Sequence, residues 1–219
     1  MTAPRAYVFD LYGTLVDYAS LRERLADSVT DPSGFVVAWR QKQLAYAFAA
    51  TLMERYLDFD EITALALRYT AAAHGTTFSA TRVTALVAAW SELPAFDDVR
   101  PQLERLRAHG IPTAVLTNAT PAALVRTLEK NELAGLFDAA LSVDAVRAFK
   151  PKPAVYALAA ARFALEPHEI GFVSSNGWDA SGAAAYGLSA IWCNRTNAPP
   201  ETMGVPPTRT LRHLGELID

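Results

Sequence analysis

Five short apolar runs, each closed by polar or turn-forming residues, constrain this chain more than any other feature: Ala6–Phe9, Thr113–Leu116, Ala139–Leu141, Ile170–Val173 and Ala190–Trp192. Runs of this length and composition fit strands buried on both faces, and the segments between them include helix-like stretches at Ala122–Lys130 and Ala154–Ala164. Strands that alternate with helices lie parallel, because each crossover needs a dozen or more residues and covers one face of the sheet. The first and second runs stand much farther apart than the others. That gap carries three helical patterns and no comparable strand: Val36–Tyr56, Ile62–Ala73 and Thr81–Leu93. The expected architecture is α/β, with a parallel-sheet core from residues 1–14 and 96–219 and an inserted helical cap over 15–95.

At 219 residues, with 51% hydrophobic and 20% charged side chains, the chain can bury one sizeable core and lacks the composition of a disordered protein. A formal net charge of −3 offers no basic face to phosphates, so nucleic acid is not an expected partner. No apolar run approaches the ~18 residues of a membrane span. Arg5 and Asp10 interrupt any N-terminal signal core, so no membrane association is expected either. The single cysteine, Cys193, excludes an internal disulfide, fits a reducing cytoplasmic location and reads as a buried apolar residue. His74, His109, His168 and His213 stand far apart, and no zinc spacing, dinucleotide fingerprint, phosphate-binding glycine loop or Gly-x-Ser-x-Gly elbow occurs. Asn197–Pro207, rich in proline, reads as a loop.

In an open parallel sheet the reactive crevice lies beyond the carboxyl ends of the strands. The residues at those tips are Asp10, Leu11, Tyr12 and Thr14 after the first strand, then Thr117 and Asn118, then Lys150, then Ser174, Ser175, Asn176 and Asp179. Singly, each has a structural explanation. Asp10 can be a turn residue, Thr117–Asn118 and Ser174–Asn176 can cap helices, Lys150 can be a solvated loop cation, and Tyr156 and Trp178 can serve packing alone. Arg40 recurs with Leu44 and Phe48 every four residues on one helical face; taken alone, it reads as a surface cation whose stem lies along an apolar stripe. Together, an Asp, a hydroxyl–amide pair, a Lys and a second Asp at successive tips of one crevice form a catalytic constellation.

Four segments carry a resemblance: Phe9-Asp10-Leu11-Tyr12-Gly13-Thr14-Leu15, Leu116-Thr117-Asn118-Ala119, Lys150-Pro151-Lys152-Pro153-Ala154-Val155-Tyr156 and Phe172-Val173-Ser174-Ser175-Asn176-Gly177-Trp178-Asp179. They resemble the successive motifs of the haloacid dehalogenase superfamily, and within it those of the L-2-haloacid dehalogenases. The resemblance implies a Rossmann-like core with a helical cap, a homodimer, and hydrolysis of small L-2-haloacids to D-2-hydroxy acids without metal or cofactor. It implies Asp10 as nucleophile and Arg40 as receiver of the departing halide, with Asn118 nearby. Thr117 and the backbone amides of Leu11 and Tyr12 would hold the substrate carboxylate, while Tyr12, Leu44, Phe59 and Trp178 would wall its alkyl group. Asp179 is the expected base for the second step, positioned through Asn176 and Lys150. Thr14 and Ser174 would hold the Asp10 carboxylate or the water, and Tyr156 would orient Lys150. The family usually has Ser where this chain has Thr117, whose extra methyl is expected to tighten the pocket.

Two other readings stay open from sequence: a magnesium-dependent phosphatase of the same superfamily, and a non-catalytic protein that kept the fold. A phosphatase of that kind places a second carboxylate two residues after the nucleophile and an early Asp in the fourth motif. This chain has Tyr12 at the first position and Ser174 and Ser175 at the second. A doubly charged phosphate needs a hard cation held by such oxygens, whereas a singly charged haloacid attacked at a neutral carbon does not.

Overall fold

The computed structural model describes residues 3–218. Six parallel strands form one sheet: β1 (Ala6–Phe9), β2 (Thr113–Thr117), β3 (Ala139–Ser142), β4 (Ile170–Ser174), β5 (Ser189–Cys193) and β6 (Arg209–Leu211), in the order β3-β2-β1-β4-β5-β6. All four residues of β1 and all five of β2 and β4 are buried, which explains their unbroken apolar runs. β6 has no apolar run to announce it in the sequence, because its three residues lie at the sheet edge with Arg209 and Thr210 exposed.

Strand order reverses at β1, which pairs with β2 on one side and β4 on the other. Connections leave these neighbours in opposite directions, opening a crevice at the carboxyl ends, where Asp10, Thr117 and Ser174 stand. The core helices are α5 (Val99–Ala108), α6 (Pro121–Lys130), α7 (Pro153–Phe163) and α8 (Gly177–Tyr186). Helix α6 starts where Thr120 Oγ1 accepts the Ala123 N–H at 3.2 Å and Pro121 fixes the first turn. Helix α5 was not foreseen. Its buried stripe of Val99, Leu103 and Leu106 has helical spacing, but Pro101 in the first turn disguises the pattern.

Between β1 and β2 lie α1 (Leu21–Leu25), α2 (Pro32–Leu52), α3 (Phe59–Ala73) and α4 (Ala80–Ala88), the last running into a tight 3-10 turn at Ala89–Glu92. The expected Val36–Tyr56 helix is thus displaced toward the N-terminus. Asp31 accepts the Gly34 N–H at 3.0 Å and Pro32 follows it, so the helix starts before the apolar pattern does. Helix α3 starts at Phe59 rather than Ile62 because Asp58 caps it, accepting the Glu61 N–H at 2.8 Å. The third pattern breaks after Ala88, where Ser91 Oγ donates to the Ala88 carbonyl at 2.8 Å and competes with continued α-helix.

The two segments that flank helices α1–α4 run antiparallel and side by side. The Asp17 N–H donates to Pro94 O at 2.9 Å and the Phe96 N–H to Leu15 O at 3.0 Å. Arg40 is 6% exposed, which corrects its reading as a surface cation; α2 buries it with Phe35, Val36, Trp39 and Gln43. Leu44 and Phe48, farther along the same face, are half-buried. Cys193 is buried, and no helix among the described residues is long and apolar enough to cross a membrane.

Candidate active site

The Asp10 carboxylate stands at the tip of β1 with donors unevenly divided between its oxygens. Oδ2 accepts from Asn176 Nδ2 at 2.8 Å, Thr14 Oγ1 at 3.1 Å and Ser174 Oγ at 3.4 Å. Among the described residues Oδ1 accepts only from Lys150 Nζ, at 2.9 Å, and retains lone-pair capacity on that side. Thr14 returns to Asp10 because Gly13 turns the chain at φ +83°, a left-handed conformation with Tyr18 packed 3.1 Å from where a Cβ would stand.

Lys150 lies 140 residues from Asp10 and also donates to Asp179 Oδ2 at 2.9 Å, so one ammonium bridges two carboxylates. Burial opposes the Lys150 charge, but Asp10 and Asp179 outweigh it and hold its pKa above the ordinary lysine value. Asp179 is fully buried on α8, and this desolvation raises its pKa despite the attraction of Lys150. Tyr156 Oη donates to Asp179 Oδ1 at 2.8 Å. Burial and the facing Asp179 keep the phenol strongly protonated. This approach needs Gly182 on α8, since a Cβ there would come within 2.6 Å of both Tyr156 Oη and Pro151 Cβ.

Two expected couplings differ. The Asn176 amide donates to Asp10 and to Tyr12 O at 3.1 Å rather than to the Asp179 side chain, and Tyr156 bonds Asp179 rather than Lys150. Asn176 lies at the start of α8 with its amide turned toward β1, whereas α7 brings Tyr156 beneath Asp179. Asn118 Oδ1 accepts the Lys150 backbone N–H at 3.2 Å, tying the Lys150 loop to β2.

Arg40 lies 5.5–5.7 Å from the ring centroids of Tyr12, Tyr18 and Trp90. Nη1 donates to Gln43 Oε1 at 2.6 Å; Gln43 Nε2 donates to Thr63 Oγ1 at 2.5 Å, and Thr63 to Phe59 O at 2.6 Å. Nε is buried without a partner among the described residues. Burial lowers the Arg40 pKa, and Tyr18 and Asp10 oppose that shift. A buried guanidinium with one donor unpaired retains the capacity to bond a further acceptor.

The backbone N–H groups of Leu11, Tyr12 and Asn118 find no protein acceptor among the described residues, leaving amides free at the tips of β1 and β2. Thr117 is fully buried and its hydroxyl accepts the Ala119 N–H at 3.1 Å. Tyr12 stacks on Phe59 with centroids 6.1 Å apart, and Trp178 meets Phe48. Gln43 and Thr63 were not foreseen. The available signal was Gln43 lying three residues after Arg40, on the same helical face.

A strand-tip carboxylate with one oxygen bonded to lysine alone, that lysine shared with a second carboxylate, and a caged arginine define a hydrolase-type α/β enzyme site. Residues 4–187 match the family model of haloacid dehalogenase-like hydrolases. The chain belongs to that family. It is 38% identical to the (S)-2-haloacid dehalogenase H-109 of Pseudomonas putida over 97% of this chain and 95% of that one. The crystal structure of the L-2-haloacid dehalogenase RSc1362 superposes with a TM-score of 0.95 at 38% identity, covering 99% and 97% of the two chains. The L-2-haloacid dehalogenase of Xanthobacter autotrophicus with chloropropionic acid covalently bound superposes with a TM-score of 0.90 at 32% identity, covering 98% and 96%.

Proposed function

We propose that this chain hydrolyses small L-2-haloalkanoic acids to D-2-hydroxy acids through an ester on Asp10. The observation that carries the reading is the asymmetry of Asp10: Oδ2 is held by three neutral donors while Oδ1 bonds only Lys150. Oδ1 attacks C2, the carbon–halogen bond breaks with its electron pair leaving on the halide, and C2 inverts as the ester forms. The free amides of Leu11, Tyr12 and Asn118, with Thr117, hold the substrate carboxylate, while Tyr12, Leu44, Phe59 and Trp178 flank the alkyl group. Fixing nucleophile, carbon and leaving group in line is an orientation task, for which effective molarities reach roughly 10⁵ M or more.

In the ester, Oδ2 is the carbonyl oxygen. Thr14, Ser174 and Asn176 then already point at the atom that becomes an oxyanion when water adds to the Asp10 carbonyl carbon, which makes them stabilisers of the second transition state. Asp179 takes the proton of that water, its raised pKa making it a stronger base than an ordinary aspartate. Collapse of the adduct expels the hydroxy acid, whose alkoxide recovers a proton, and restores the Asp10 carboxylate.

The magnesium-dependent reading is disfavoured by the donor set. Lys150 already stands 2.9 Å from both carboxylates, the position two residues after Asp10 is Tyr12, and no group of three or more His, Cys, Asp or Glu residues is arranged for a metal among the described residues. The deciding assay is chloride release from L-2-chloropropionate in the presence of EDTA. Magnesium-stimulated phosphate release from small phosphate esters, with no halide release, would sink the proposal.

Arg40 stabilises charge that appears only as the bond breaks. Arg40→Ala therefore costs more activity on 2-chloropropionate than on 2-bromopropionate, since the poorer leaving group depends more on its receiver. Equal losses would remove Arg40 from that role. We also propose that residues 15–95 act as a cap over the crevice, that the protein works in the cytoplasm and that it forms a homodimer.

A further inference from the structure

The Phe48 and Trp178 rings meet edge to face, with centroids 5.2 Å apart and planes at 75°. Outside this pair lies a cleft of about 480 Å³ whose lining includes Phe48, Leu52, Phe149, Trp178, Met203 and Lys150. Leu52 and Met203 are more than four-fifths exposed, so the cleft mouth leaves apolar side chains in water. Lys150 touches both compartments, since it lines the cleft while its Nζ holds Asp10 and Asp179. Lys150 thus joins the reacting carboxylate to the wall of this apolar cleft, and the Phe48–Trp178 contact forms part of the same wall.

Arg40, Leu44 and Phe48 occupy successive turns of one α2 face. Eight residues of helix span about 12 Å, so this row runs from the halide receiver, past a proposed alkyl wall, to the ring that closes off the cleft. Trp178 closes the same end from α8, next to the proposed base Asp179. We propose that the Phe48–Trp178 pair is the end wall of the alkyl pocket and sets the chain length of the 2-haloacids accepted, with the cleft as the space a longer tail enters when the wall is smaller. The inference rests on the 2-haloacid reading of the site and adds its substrate range: short chains, bounded on the α2 side by Phe48.

The test compares kcat/KM for 2-bromohexanoate and 2-bromopropionate, keeping the leaving group constant. Phe48→Ala raises the hexanoate-to-propionate ratio about tenfold or more, the scale on which an apolar pocket discriminates a single methylene. Phe48→Trp lowers it. A ratio that stays within about twofold of wild type in both variants overturns the wall, because a pocket boundary has to discriminate on that scale. Calorimetric binding of the unreactive acids butyrate through octanoate reads the same boundary in the unmodified protein. Affinity should fall with chain length, and octanoate bound as tightly as butyrate overturns the proposal. If the wild type turns over neither bromoacid, the assigned reaction fails, and the binding series still decides the wall.

Discussion

Asp10→Asn lowers turnover by roughly 10⁴- to 10⁶-fold, the range seen when a covalent nucleophile is removed, while the protein stays folded. Asparagine keeps the shape of the side chain and can still accept from Thr14 and Asn176, but its neutral amide is a poor nucleophile toward saturated carbon. Lys150 keeps Asp179 as its counter-ion, so the substitution does not strand a buried ammonium. The covalent route makes a second demand. In a single turnover in ¹⁸O water, the wild-type peptide containing Asp10 gains the label and the first product carries unlabelled oxygen, because water attacks the ester carbonyl rather than C2. Label passing straight into the first product, with the Asp10 peptide unlabelled, refutes the ester. So does an Asp10→Asn variant that keeps more than a trace of turnover.

The parts of this site legible in sequence are those with a local signature. Short apolar runs that end in Asp10, Thr117 and Ser174 announce buried parallel strands, and the crossover rule then gathers their tips in one crevice. The separation of Asp10 from Lys150 is no obstacle to that inference, since topology alone brings them to the same end of the sheet. Which donor serves which acceptor is different, because it depends on side-chain directions that no periodicity encodes. Asn176 thus turned out to brace Asp10, and Tyr156 to brace Asp179. Arg40 was ambiguous alone because a cation in an apolar stripe can snorkel or be caged. The deciding partners come from two segments far apart in sequence, Tyr12 and Tyr18 after β1 and Trp90 beyond α4. Gln43 and Thr63 look like ordinary polar helix residues until α2 and α3 pack and bury both.

Lys150→Met is expected to remove about 3–5 kcal/mol of folding stability at pH 7, because it leaves two buried carboxylates without their shared cation. The size of the loss follows from burial: the Asp179 side chain is 0% exposed and that of Asp10 only 9%. In the wild type, desolvation already raises the Asp179 pKa, so its charged form costs folding free energy; that cost is absent below the ordinary carboxylate range and grows as pH rises through the elevated value. Lys150 is the main influence opposing that rise, and removing it moves the Asp179 value further up. The deficit of the variant should therefore shrink on acidification from pH 7 to pH 5, as protonation removes the uncompensated charge. The alkaline side works in the other direction. The elevated pKa of Lys150 gives the wild type stability that is fully present below the ordinary lysine value and lost as pH rises through the folded-state value, so the gap between the two proteins also narrows at high pH. Urea unfolding at pH 5 and 7 measures the acid side, and a third point above the ordinary lysine value of 10.5 measures the alkaline one. A loss below about 1 kcal/mol at pH 7, the level of an exposed ion pair, or one independent of pH, would mean that the two carboxylates do not depend on Lys150 for their charge. The asymmetric loading of Asp10, and with it the proposed division between attacking and carbonyl oxygens, would then lose its electrostatic basis.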